Sequence, residues 1–156
     1  MENENTCKCC EEETPETKLL EEVYKNTKMA SEAITSLLSK VEDGNFRQDL
    51  TSQLTGYQGY SLEATRLLLD RGRMPEDLKF FEKLPAVAGL QWNTARDRSV
   101  SKLSELMING STMGIIEMRR ALRQANEGSC GQEAVQLGDR VIRFEEDNIE
   151  RLKTYL

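Results

Sequence analysis

The chain has 156 residues, 38% hydrophobic and 31% charged, with a formal net charge of −6 and no histidine. That length suits one domain with a packed core, and the composition is too apolar for wholesale disorder. No run approaches the roughly 18 apolar residues of a membrane span. The N-terminus lacks the basic-then-apolar pattern of a secretory signal, so a folded cytoplasmic protein is expected. Without histidine there is no Ser-His-Asp triad, no Cys-His dyad and no imidazole metal ligand.

The negative charge is concentrated at the start. Residues 1–22 hold eight acids against two bases, and residues 23–156 hold 19 of each. A nucleic-acid binder needs a basic stripe to displace counterions from phosphate, and the Arg96/Arg98 and Arg119/Arg120/Arg123 groups are interrupted by Asp97 and Glu117. Nucleic acid is therefore not an expected partner.

Residues 1–14, polar and acidic, read as a disordered cysteine-containing tail, and residues 15–156 as a helical domain. Thr14-Pro15-Glu16 is a helix start. From there Leu20, Val23, Thr27, Ala30, Ile34, Leu37 and Val41 follow at alternating spacings of three and four, a bundle seam. This predicts a helix over 15–42, closed by Gly44 in a left-handed cap. A second helix is predicted over 45–71 on Phe46, Leu50, Leu54, Tyr57, Ala64 and Leu68, with Gly56 and Gly59 read as permitting close helix approach, making room for a tyrosine ring, or simply tolerated. The stretch 77–83 offers Leu78, Phe80 and Phe81, with Leu84, as an apolar plug. A third helix is expected over 86–108, stopped by Asn109-Gly110, and a shorter fourth over 112–126 capped by Ser111 or Thr112. The last runs over 132–155 with Val135, Gly138, Val141, Ile142, Ile149, Leu152 and Leu156 inward. No segment alternates with period two, so the fold class is all-α: an antiparallel four-helix bundle with an extra short helix.

Long helices with their longest connection between the second and third resemble the ferritin-like family in architecture across residues 15–156. Metal-bearing members build a dinuclear site from a Glu on each of two helices and a Glu-x-x-His on each of the other two. Here Glu145-Glu146-Asp147-Asn148 places Asn148 where that pattern has His, and Glu63-Ala64-Thr65-Arg66 places Arg66 there. The resemblance thus implies the bundle without the dinuclear centre.

Glu145 lies on the inward stripe of the last helix, where a lone carboxylate is costly. Arg96 shares an inner face with Trp92, Ser99, Leu103 and Leu106. A structural polar cluster of Glu145, Arg96 and Asn148 is expected, since a guanidinium fork matches a carboxylate in two hydrogen bonds. An all-oxygen cation site is the alternative, with Glu22, Glu32 and Glu105 as further oxygen donors. Cys7, Cys9 and Cys10 put three thiols within four residues, and Cys130 could complete a tetrahedral set for a soft ion such as Zn or Cu, or for iron.

Two readings follow. The first is a non-catalytic ferritin-like bundle of structural or interaction role, without cofactor. The second is a metal-handling protein using the cysteine cluster or a carboxylate site around Glu145. The sequence leaves the oligomeric state and any protein partner open, although Met107, Met113, Met118 and the aromatic linker could supply an apolar contact surface for a homo-oligomer.

Overall fold

A computed structural model describes residues 13–75, 97–128 and 130–156, which form four α-helices with no strand among them. They are α1 (Pro15–Leu38), α2 (Gly44–Asp70), α3 (Val100–Glu127) and α4 (Gln132–Lys153). No helix among these residues is long and apolar enough to cross a membrane. The expected plug at 77–83, the start of the helix expected from 86, and Arg96 lie outside the described residues.

Side chains set most of the boundaries. Thr14 caps α1 by accepting from the Thr17 N–H at 3.1 Å, with Pro15 in the first turn where its missing N–H costs nothing. α1 stops at Leu38, four residues short of the expected 42, although Val41 is still buried. Gly44 is not its left-handed cap. Asp43 accepts from the Phe46 N–H at 2.8 Å and starts α2, which takes Gly44 as its first residue. The Arg47 guanidinium reaches back to the Val41 carbonyl and fastens this turn. The left-handed glycine is Gly72, φ 70°, just past the end of α2.

The expected break at Asn109-Gly110 is absent, and the helices predicted over 86–108 and 112–126 meet in one α3. Residues 97–99, expected inside a helix, precede it as non-helical chain. Ser99 is its N-cap, accepting from the Lys102 N–H at 3.2 Å. Gly110 costs this helix about 1 kcal/mol relative to alanine, which tertiary packing overrides. Thr112, expected as a cap, instead bonds back to the Ile108 carbonyl at 2.7 Å inside the helix. Leu156, expected inward, is exposed beyond the end of α4.

α1 packs most extensively against α2 and then α3, α4 most extensively against α3, and α4 also touches α1 and α2. Two hydrophobic clusters result. One joins Leu19, Leu20 and Val23 of α1, Ala64, Leu67 and Leu68 of α2, Met118, Leu122 and Ala125 of α3, and Ala134, Leu137, Val141 and Ile142 of α4. The other joins Ile34, Leu37 and Val41 with Phe46, Leu50 and Tyr57, Leu103 and Met107, and Leu152. Each leucine buried in them contributes about 1.5–3 kcal/mol. At the first end, Arg71 ties α2 to Glu16 at 2.6 Å and Glu133 at 3.7 Å, and Arg73 meets Glu21 at 2.8 Å. Between the clusters the interior turns polar.

Candidate functional site

This middle layer takes side chains from all four helices. α4 supplies Glu145 and Asn148, three residues apart and therefore on one helix face. Glu145 is 1% exposed and Asn148 is also buried. α2 supplies Tyr57, α3 supplies Ser111 and Gly114, and α1 supplies Asn26. The Tyr57 hydroxyl donates to the Glu145 carboxyl and lies close to Ser111 and Asn148. A Cβ at Gly114 would lie 2.8 Å from Asn26 Nδ2 and 3.1 Å from Glu145 Oε1, so glycine is what lets that amide and that carboxyl reach the bundle centre together.

Gln53, one turn before Tyr57 on α2, is 2% exposed, while Leu54, which the sequence pattern turned inward, is only half-buried. Both Gln53 amide atoms, Ser104 Oγ, Glu145 Oε2, and the amide nitrogens of Asn26 and Asn148 have no hydrogen-bond partner in the interior.

The electrostatics follow from this setting. Burial pushes the Glu145 carboxyl up to about 8, opposed by its hydrogen bond from Tyr57. At neutral pH it is therefore mainly the neutral acid. Burial first, and then the neighbouring Glu145 carboxylate, hold the Tyr57 phenol well above its usual range. One turn away, Phe144 sits edge-on between the Tyr57 and Tyr60 rings, at 5.0 and 5.3 Å between centroids. Gly56 leaves space for that ring. The glycine's use is thus to admit an aromatic ring and not to bring two backbones together.

The other sequence candidates point elsewhere. Glu63 turns out to Arg140 at 2.5 Å and Arg66 to Asp70 at 3.0 Å, so Glu63-Ala64-Thr65-Arg66 presents no inward pair. Glu22 pairs with Lys25 and Glu105 with Lys102, and Glu32 is exposed. Cys7, Cys9 and Cys10, like Arg96, lie outside the described residues. Cys130 is half-buried in the α3–α4 turn, where its thiol donates to the Gly131 carbonyl at 3.7 Å. Burial and the nearby Glu16 raise its pKa, which disfavours a reactive thiolate.

Among the described residues no three Cys, Asp or Glu side chains gather as a metal-holding group. A divalent ion in the middle layer would meet one carboxyl, two amides, one phenol and one hydroxyl. That set is far poorer in charge than the carboxylate-rich cage a dinuclear centre uses. Comparison with known proteins finds no matching family model, no matching curated protein and no matching solved structure.

Proposed function

We propose that this chain is a non-catalytic ferritin-like protein: an antiparallel four-helix bundle with a structural or interaction role, in which side-chain hydrogen bonding occupies the place of a dinuclear centre. The antiparallel reading is supported by the two apolar clusters. One contains the early parts of α1 and α4 with the late parts of α2 and α3, and the other contains the reverse. On this reading α2 and α3 run the same way. Ferritin-like bundles, with one long crossover in their topology, share that feature.

The observation that carries the functional half is the single carboxyl of the middle layer. Glu145 is joined there by Tyr57, Ser111 and Asn148, neutral groups where a ferroxidase-type centre needs acids and imidazoles. The test is elemental analysis of the full chain after incubation with iron(II), manganese(II) and zinc(II) and removal of excess ion. The expected result is no stoichiometric ion in a Cys7→Ser, Cys9→Ser, Cys10→Ser variant. One or two ions per chain in that variant, lost on Glu145→Gln, would overturn the reading.

A second reading, soft-metal handling by Cys7, Cys9 and Cys10, gains support from the position of Cys130. It lies within electrostatic reach of Glu16, in the first turn of α1 and six residues along the chain from Cys10. Cys130 therefore stands near the point where the cysteine tail joins the bundle. On this reading zinc or copper(I) is retained by the full chain and lost in the triple-serine variant.

A further inference from the structure

The middle layer leaves three buried polar atoms unbonded on two helices. They are Asn26 Nδ2 of α1, and Glu145 Oε2 and Asn148 Nδ2 of α4. Glu145 is 1% exposed and Asn148 7%, so bulk solvent does not serve as their partner. A hydrogen bond left unmade in a low-dielectric interior is costly. Three such atoms in one layer call for a shared partner.

Gly114 shows how near these groups come to one another. The point where its Cβ would stand lies 2.8 Å from Asn26 Nδ2 and 3.1 Å from Glu145 Oε1. The two atoms are therefore no farther apart than roughly 6 Å, the span one water bridges with two hydrogen bonds of about 3 Å. Yet Asn26 Nδ2 makes no direct bond. Asn148 belongs to the same neighbourhood, because it and Glu145 both adjoin the Tyr57 hydroxyl.

We propose that the layer is a built hydration site, in which one internal water joins Asn26 of α1 to Glu145 and Asn148 of α4. The mixture of donors and acceptors selects the ligand. A cation would face the amide N–H groups, and an anion would face the carboxyl lone pairs. Water accepts from both amides and donates to Glu145 Oε2, so all three unbonded atoms are met at once. Three partners is within the range of about two to four that a buried water takes. The bridge ties α1 to α4 across the polar layer, and Gly114 keeps a side chain out of it. The inference rests on the metal-free reading of this layer and supplies the partner that its side chains lack.

The experiment is oxygen-17 relaxation dispersion of water on the full chain, which counts long-lived internal waters and does not respond to exchanging hydroxyl protons. It compares the wild type with Gly114→Ala and Gly110→Ala. A Cβ at Gly114 must push the Asn26 amide aside, whereas at Gly110 in the same helix it meets nothing within 4 Å. The expected result is an amplitude lower by about one water per chain in Gly114→Ala and unchanged in Gly110→Ala. Asn26→Leu removes the amide without touching the α3 backbone, and should show the same loss even if Gly114→Ala does not fold. A crystal structure of the wild type gives the direct view, an oxygen within about 3.2 Å of both Asn26 Nδ2 and the Glu145 carboxyl. Equal amplitudes in the wild type and the folded variants, or a direct bond from Asn26 to Glu145, would overturn the proposal and leave the metal-free reading intact. An anomalous scatterer at that position would mark a metal ion and overturn both.

Discussion

At Gly56 an added Cβ would lie within 2.6 Å of Phe144 Cε2, a ring wedged between Tyr57 and Tyr60 with little room to retreat. Gly56→Ala is therefore expected to destabilise the fold by about 1–3 kcal/mol of overpacking, despite the helix propensity alanine adds. Denaturant unfolding measures this, and a stabilised variant would show that Phe144 is not held there. Tyr57→Phe is the second residue-scale prediction. It keeps the ring in its cluster and removes the hydroxyl that bonds to Glu145 and neighbours Ser111 and Asn148. The expected cost is about 1–3 kcal/mol for polar groups left unpaired. Loss of that hydrogen bond should also raise the Glu145 pKa further, since Tyr57 now lowers it.

At the scale of the element, Gly110→Ala should stabilise the chain by about 1 kcal/mol, because Gly110 lies inside α3 with open space where a Cβ would go. If the chain turned at Asn109-Gly110, the same change would destabilise it, so thermal unfolding distinguishes one helix from two. The sequence misleads here for a physical reason. The inward face of α3 passes from Leu103 and Met107 through Ser111 and Gly114 before reaching Met118 and Leu122. The small polar residues that complete the middle layer interrupt the apolar stripe and resemble a turn. The other three helices were legible because their stripes run unbroken for several turns. At α1, Gly44 pointed to a C-cap, but Asp43 acts as an N-cap one position earlier and claims the glycine for α2. In the interior site the sequence pointed to Glu145, the one charge on an apolar seam, and to Asn148 three residues on. Asn26, Gln53 and Ser111 gave no such signal, since single polar residues at helix positions are ordinarily solvated. Gln53 and Leu54 fit the spacing from Leu50 equally well, and only packing selects Gln53.

For the molecule as a whole, two apolar clusters hold the helix ends together, while the layer between them carries the unpartnered polar atoms of Asn26, Glu145 and Asn148 among the described residues. Such a layer costs stability that an apolar one would not, so the ionisation state of its single acid bears on the entire fold. In the unfolded chain Glu145 titrates near the ordinary value of roughly 4.3. In the fold it is pushed up to about 8. Between those values the folded state binds the extra proton, so rising pH removes stability, by about 1.4 kcal/mol per unit, and the loss is complete above about 8. A carboxylate paired with Arg96 or bound to a metal would have a lowered pKa and the reverse dependence, losing stability toward acid. The measurement that separates these is the unfolding free energy of the wild type and of Glu145→Gln from pH 5 to pH 9. A neutral acid in a metal-free layer predicts that the wild type weakens relative to the variant as pH rises to 8 and then runs parallel to it. Parallel curves throughout, or a wild type that gains on the variant with rising pH, would contradict it.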